Sequence, residues 1–136
     1  MEMLDTALSP TGKALKLSYG RIWGDVLEFA PPERYAYPHG QCRSVGVGGY
    51  LLGGGVNWLG TYNKYGYGAE HILKMKVVLS DGSVAWVDKD KTDIFYPAES
   101  VRTVSHTQEN NLFFALRGAG SSFGTVTEFL YMINTT

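Results

Sequence analysis

Residues 45–59 read Val-Gly-Val-Gly-Gly-Tyr-Leu-Leu-Gly-Gly-Gly-Val-Asn-Trp-Leu, and this glycine-rich stretch determines how the rest of the 136-residue chain is interpreted. Nine of the chain's 17 glycines lie between Gly46 and Gly68. Glycines spread evenly would suggest flexible linkers. Glycines clustered among apolar residues instead allow tight bends or the close approach of another group to the backbone. The stretch therefore predicts a chain that bends tightly or a ligand that lies against its main chain.

The segments on either side of this stretch predict hairpins and two helices. The predicted elements are a hairpin over 4–17, a helix over 22–30, an extended segment over 34–38, a hairpin over 72–87, a helix over 111–116 and a strand over 125–132. Residues 88–108 are polar and irregular, which indicates a surface excursion. Because hairpins replace regular β-α-β alternation, the sequence predicts one α+β domain over residues 1–136, an antiparallel β-sheet flanked by helices.

Composition excludes several classes of function. Twelve Lys and Arg against 13 Asp and Glu, without a basic run, give no electrostatic footprint for nucleic acid or an acidic membrane. The apolar stretches are too short to span a bilayer. Residues 1–5 include two acidic residues and no basic one, and no apolar run follows them, so they do not resemble a signal peptide. The single Cys42 excludes an internal disulfide and any metal site that needs several cysteines. The sequence predicts no metal site and indicates no particular compartment.

Two short motifs resemble known functional signatures but lack the required context. Residues 46–49 begin like a dinucleotide-binding fingerprint, yet the third glycine would fall at Leu51 and no β-α-β unit surrounds it. Residues 120–124 match G-x-S-x-G, but no histidine follows Ser122, which is interpreted as a turn residue. The three histidines, His39, His71 and His106, are scattered and are interpreted as solvated or hydrogen-bonded surface residues.

Cys42 allows two interpretations. An isolated cysteine is more often a small buried apolar residue. Its neighbours at 40–44, however, are polar and include a glycine, which indicates a loop that could present the thiol to a bound ligand. A nearby His39 imidazolium would lower the pKa of that thiol.

Four blocks of sequence together resemble one family. They are Trp23–Val26, residues 37–49 with 52–55 and Trp58-Leu59, residues 64–66 leading into 72–82, and residues 111–127. In this order they resemble the second subdomain of the FAD-binding module of the berberine-bridge-enzyme-like oxidases, the PCMH-type branch of the vanillyl-alcohol-oxidase superfamily. The resemblance runs from about residue 4 to residue 133.

The resemblance implies that FAD lies along the glycine-rich backbone. Cys42 matches a cysteine that forms a thioether to C6 of the flavin in some members, and Ile72 matches a residue whose backbone contacts the adenine. The implied cofactor-binding residues are Cys42, Val45, Gly46, Val47, Gly48, Gly49, Gly53, Gly55 and Ile72. No catalytic residue is assigned.

The resemblance also implies parts that this sequence does not contain. The first subdomain, with its diphosphate loop, would precede Met1, and a substrate domain would follow the last strand. Losing about three charge-assisted hydrogen bonds would weaken FAD binding by roughly 5–9 kcal/mol, so tight unaided binding is not expected. The expected function is the FAD-binding portion of an oxidase that moves hydride from a substrate C–H to the flavin, which oxygen reoxidises. The alternative is a truncated, non-catalytic binding or interaction domain. In either case the uncovered face is expected to attract a second copy or a companion chain.

Overall fold

A large antiparallel sheet forms the framework of the molecule in a computed structural model that describes residues 1–57, 64–108, 111–120 and 122–135. The strands are β1 (Glu2–Asp5), β2 (Lys13–Ser18), β3 (Tyr35–Ala36), β4 (Ile72–Val78), β5 (Val84–Val87), β6 (Lys91–Tyr96), β7 (Arg102–Ser105), β8 (Thr125–Met132) and β9 (Asn134–Thr135). The helices are α1 (Trp23–Phe29), α2 (Val47–Leu52) and α3 (Leu112–Leu116), with 3-10 turns at Gly68–His71 and Ala98–Ser100. Among these residues, seven strands form one sheet in the order β1-β2-β8-β4-β5-β6-β7, and β3 pairs with β9.

Strand β8 lies between β2 and β4 inside the sheet although it comes near the end of the chain. It pairs antiparallel with β2, where Leu17 faces Phe129, and with β4, where Met75 faces Phe129. All three of these side chains are fully buried. The described helices are short and pack on this sheet, so the predicted α+β class with an antiparallel sheet is confirmed.

Helices α1 and α2 cover the sheet around Trp23. The indole of Trp23 is fully buried, and its ring centroid lies 5.1 Å from that of Tyr50, 6.1 Å from that of Tyr131 and 6.4 Å from that of Tyr37. Leu51 of α2 is also fully buried. This aromatic cluster fixes α2, and with it the glycine-rich stretch, against the sheet.

The prediction of a surface excursion over residues 88–108 is wrong. Strands β6 and β7 extend the sheet there, and Thr92 and Ile94 are buried. Between them, Asp93 points to the other face, where its carboxylate accepts a hydrogen bond from Thr103 at 2.7 Å. Polar residues on the outer face of a strand at the sheet's edge made the segment look irregular in sequence.

Two further expectations need correction. Helix α2 was not predicted, because glycine is a poor helix former and the stretch contains several. His71 is not a surface residue: it is buried, with its Nδ1 2.9 Å from the Met132 carbonyl oxygen and its Nε2 2.8 Å from the Tyr65 carbonyl oxygen.

Trp58-Leu59, part of the family resemblance, lies outside the described residues. No helix among the described residues is long and apolar enough to cross a membrane.

Candidate functional site

The glycine-rich stretch is held in place by the segment that leads into α1. The two segments run antiparallel, with Ile22 and Gly46 as bridge partners. Four main-chain hydrogen bonds join them. The amides of Gly24 and Trp23 donate to the carbonyl oxygens of Arg43 at 2.8 Å and Val45 at 3.0 Å, respectively. In the other direction, the amides of Val47 and Gly48 donate to the carbonyl oxygens of Arg21 at 2.7 Å and Tyr19 at 3.2 Å. These bonds hold the main chain from Arg43 to Gly48 in place, which includes the start of α2.

Some of the predicted site glycines are required by the fold itself. A Cβ at Gly48 would lie 2.2 Å from the ring of Tyr19, a distance that no packed side chain tolerates. Gly55 has φ +74°, and a Cβ there would lie 2.6 Å from the Cα of Gly68. A Cβ at Gly53 would lie 3.0 Å from the Gly49 carbonyl oxygen. Internal packing therefore explains these three glycines without any ligand.

Gly46 and Gly49 are different, because nothing in the described chain requires them to be glycine. Neither has a positive φ, and a Cβ added to either would meet no heavy atom within 4 Å. Both residues are exposed, and no hydrogen bond from either amide is present among the described residues. Gly49 lies within α2, where glycine costs about 0.5–1 kcal/mol relative to alanine, and Gly46 is the N-cap of that helix. The arrangement leaves an open cradle, with two free N–H groups, that a Cβ would fill.

The two valines beside these glycines face opposite ways. Val47 is fully buried in the core beneath α2, whereas Val45 is exposed next to Gly46. Val45 can therefore contact a ligand that lies in the cradle, while Val47 anchors the helix that forms it.

Cys42 lies on the surface in a firmly held turn. Its carbonyl oxygen accepts from the Val45 amide at 3.0 Å, and its thiol is free and exposed. The next residue, Arg43, donates to the Gly24 carbonyl oxygen and to the carboxylate of Glu28. The interpretation of Cys42 as a buried apolar residue is therefore wrong, and the thiol is exposed on a loop four residues before Gly46.

His39 does not contact that thiol through a hydrogen bond in the described structure. Its Nδ1 lies 2.9 Å from the Gly40 carbonyl oxygen, and its ring packs 5.7 Å from that of Tyr37 and 6.2 Å from that of Trp23. The prediction that an imidazolium at position 39 activates Cys42 has no support from this geometry.

Tyrosines form an apolar floor beneath α2. Burial raises the pKa of Tyr50 to about 12 and holds the pKa values of Tyr37 and Tyr131 well above the usual range. The Tyr37 hydroxyl donates to the Ala30 carbonyl oxygen at 2.7 Å, and the Tyr131 hydroxyl donates to that of Pro38. All three stay protonated at neutral pH, so they shape the site without supplying a base.

Two pockets lie beyond the C-terminal end of α2. The outer pocket, of about 400 Å³, is lined by Gly54, Val56, Tyr67, Ala69, Glu70, Phe114 and Arg117. The inner pocket, of about 330 Å³, shares Glu70 and Arg117 with it and is lined also by Ile72. Ile72 itself is buried at the start of β4, directly after the 3-10 turn whose Gly68 and Ala69 amides donate to Gly55 and Gly54. The structure thus places Ile72 near the end of the glycine-rich stretch. It lines the inner pocket, whereas Cys42 lines neither pocket.

Sequence reasoning missed the residues that line the outer pocket. Phe114 and Arg117 fall within the family block over residues 111–127, but the sequence alone assigns neither a role. Phe114 is 72% exposed, which marks it as a surface residue of the pocket. The spacing of apolar residues in the sequence does not show that this side chain is exposed. No group of three or more His, Cys, Asp or Glu side chains in the described ranges could hold a metal ion.

Comparisons with known proteins agree with this geometry. A family model described as "FAD binding domain" matches residues 2–88. The xylooligosaccharide oxidase of Thermothelomyces thermophilus is 36% identical over 130 residues, which cover 95% of this chain and 22% of that protein. The crystal structure of the glucooligosaccharide oxidase of Acremonium strictum has a TM-score of 0.63 at 30% identity, over 98% of this chain and 23% of that one. A VAO-type flavoprotein from Myceliophthora thermophila C1 has a TM-score of 0.70 at 26% identity, over 98% of this chain and 22% of that one.

These matches confirm the predicted relationship to the VAO-type and berberine-bridge-enzyme-like flavoproteins, and they extend to strands and helices beyond the segment that the family model covers. The chain spans slightly more than a fifth of the length of these relatives. On the match over residues 2–88, the chain belongs to the FAD binding domain family.

Proposed function

We propose that this chain holds FAD along the main chain from Val45 to Gly49 and positions it within an FAD-dependent oxidase. In that enzyme, hydride would pass from a substrate C–H to the flavin, and dioxygen would be reduced to hydrogen peroxide. The observation that carries the proposal is the open cradle at Gly46 and Gly49, where the chain leaves room that its own packing does not need. The family match and the flavoprotein relatives support FAD as the group that fills this room.

The residues present fit such a cofactor in three ways. The free amides of Gly46 and Gly49 can donate to flavin or phosphate oxygens, which approach closely only because no Cβ intervenes. Exposed Val45 offers an apolar contact for a flat ring, and the neutral tyrosines beneath α2 keep the helix that carries these groups rigid. When bound, FAD would supply the hydride-accepting chemistry.

We further propose that Cys42 tethers the cofactor. The Sγ would form a bond to C6 of the flavin, the thiol and C6 would each lose a hydrogen, and the two electrons would reduce dioxygen to hydrogen peroxide. The FAD of the glucooligosaccharide oxidase from Acremonium strictum is described as 6-S-cysteinyl, 8α-N1-histidyl. Here the exposed thiol, four residues before Gly46 on a pinned turn, supports the same role for Cys42.

The proposal assigns no catalytic base to the described residues. Burial raises the pKa of Tyr50 in α2 to about 12, which is too high for a base at neutral pH. Proton abstraction and substrate recognition are therefore proposed to come from other parts of the enzyme, in keeping with the fraction of the relatives that this chain spans.

The test combines intact mass with visible absorbance. The chain is incubated with FAD in air beside a Cys42→Ala variant, and both are denatured and freed of unbound flavin. We expect a flavin absorbance band and a matching mass increment in the original chain and neither in the variant. A variant that retains the increment would refute Cys42 as the tether. Absence of both signals in the original chain, with no shift of the Gly46 or Gly49 amide resonances on adding FAD, would favour the non-catalytic alternative.

A further inference from the structure

Arg117 lines both pockets and forms no ion pair with a described side chain. Its Nε is buried and has no hydrogen-bond partner among the described residues. Its Cζ lies 4.5 Å from the ring centroid of Phe113, which holds the side chain in a fixed position. A buried donor without an acceptor is costly, so a ligand that supplied an oxygen there would be favoured.

The outer pocket places the Arg117 charge among groups that suit a nucleotide. Phe114, Val56 and Tyr67 are exposed at 72%, 57% and 45%, and they form its apolar walls. Glu70 lines the same pocket, and its Oε2 accepts from the Tyr67 amide at 2.7 Å. A carboxylate repels phosphate but readily accepts hydrogen bonds from ribose hydroxyls. The pocket thus combines a surface for a planar base, an acceptor for a sugar and a cation for a phosphate.

The outer pocket lies at the opposite end of α2 from the glycine cradle. Gly54, one of its lining residues, lies five residues after Gly49, a separation of roughly 8 Å along a helical path. The amide of Gly120 donates to the Leu52 carbonyl oxygen at 3.1 Å and so ties the segment after Arg117 to the end of α2. One extended ligand can therefore lie on Gly46 and Gly49 and reach the pocket with its other end.

We propose that Arg117 binds an oxygen of the adenylate phosphate of FAD, the phosphate that FMN lacks, and is the residue by which this chain distinguishes FAD from FMN. This inference rests on the proposed function, since it assumes that the flavin end lies in the glycine cradle. Arg117 supplies charge-assisted hydrogen bonds, which are shorter and stronger than neutral ones and which FMN, lacking the adenylate, would not gain.

The experiment measures binding of ADP, FMN and FAD to the full chain by ¹⁵N–¹H NMR titration, which detects millimolar affinities. The variants are Arg117→Gln, the charge-retaining Arg117→Lys, and Arg102→Gln as a matched control on β7, outside both pockets. Thermal unfolding of each variant separates loss of binding from loss of the packing on Phe113. We expect Arg117→Gln to weaken ADP and FAD binding tenfold or more, Arg117→Lys to weaken it less, and neither to change FMN binding. Raising the salt concentration should weaken ADP binding to the original chain but not to Arg117→Gln.

Several results would overturn the inference. ADP that binds the original chain and Arg117→Gln equally, or that leaves the resonances around Arg117 unshifted, would refute it. If FAD still shifts the amides of Gly46 and Gly49 in that case, the proposed function survives and only the role of Arg117 fails. If ADP shifts the pocket while FAD leaves the cradle unchanged, the pocket is a nucleotide site and the proposed function fails.

Discussion

Replacing Gly49 with alanine should separate stability from cofactor binding. The added Cβ would meet nothing within 4 Å, and the backbone at this position is already one that alanine adopts. The helix should therefore gain about 0.5–1 kcal/mol, because alanine loses less conformational entropy than glycine. For a chain of this size, that gain corresponds to a rise in Tm of about 2–5 °C.

The same methyl group should weaken FAD binding. It would occupy the space in front of the Gly49 amide and prevent close contact with a ligand oxygen. Loss of one charge-assisted hydrogen bond, about 1.5–3 kcal/mol, weakens the affinity about 10- to 150-fold. The assay compares thermal unfolding without ligand and NMR titration with FAD, both in a Cys42→Ala background so that binding stays reversible.

The matched control for this experiment is Gly48→Ala. Its Cβ would lie 2.2 Å from the Tyr19 ring, so this neighbouring substitution should destabilise the chain by about 1–3 kcal/mol through overpacking. Two results would refute the reasoning: a Gly49→Ala variant that binds FAD with unchanged affinity, or one that unfolds as easily as Gly48→Ala. The first would show that no ligand uses the cradle, and the second that a contact within the chain does.

Two other predictions concern the core and the exposed surface. Tyr131→Phe should lower the free energy of unfolding by about 1–3 kcal/mol, because it leaves the buried Pro38 carbonyl oxygen without its donor. Urea unfolding beside Tyr19→Phe, an exposed position expected to change by less than about 0.5 kcal/mol, checks this, and equal effects would contradict it. Around the cradle, Tyr19, Ile22 and Val45 expose apolar surface, so we expect the mass measured by light scattering to rise with protein concentration and to rise less in Val45→Ser. A monomer at every concentration would argue against self-association through this face.

The antiparallel framework could be predicted from the sequence because its signals are local. Asp81-Gly82 between β-branched runs forms the predicted hairpin of β4 and β5, and the spacing from Ile22 to Ala30 identifies α1. Strands β6 and β7 were missed because one face of each strand is polar, and α2 was missed because its glycines disfavour a helix in isolation. Helix α2 forms because Trp23, Tyr50 and Leu51 pack together beneath it, and that long-range contact leaves no local pattern.

The candidate site was only partly accessible to the same reasoning. The resemblance identified Cys42 and the glycine-rich stretch, and the structure shows the thiol to be exposed. It did not identify Arg117 or Glu70, because their significance depends on two pockets that α3, the 3-10 turn and the end of α2 form together. Such a pocket joins residues about 60 positions apart, and a scan for motifs cannot detect it.

The glycine-rich stretch also shows why a motif alone cannot distinguish a cofactor-binding chain from a scaffold. A Cβ at Gly48 would clash with the Tyr19 ring, and Gly55 has a positive φ and a close backbone contact, so a chain that had lost its cofactor would still favour glycine at both positions. Gly46 and Gly49 have no such packing requirement within the described residues, and alanine at Gly49 would fit the space and favour the helix. A non-catalytic scaffold therefore accounts for the first pair directly, whereas glycine at position 49 makes the helix less stable without a packing reason within the described residues. The FAD proposed here would give that glycine a function, because it would lie within hydrogen-bond distance of the main chain.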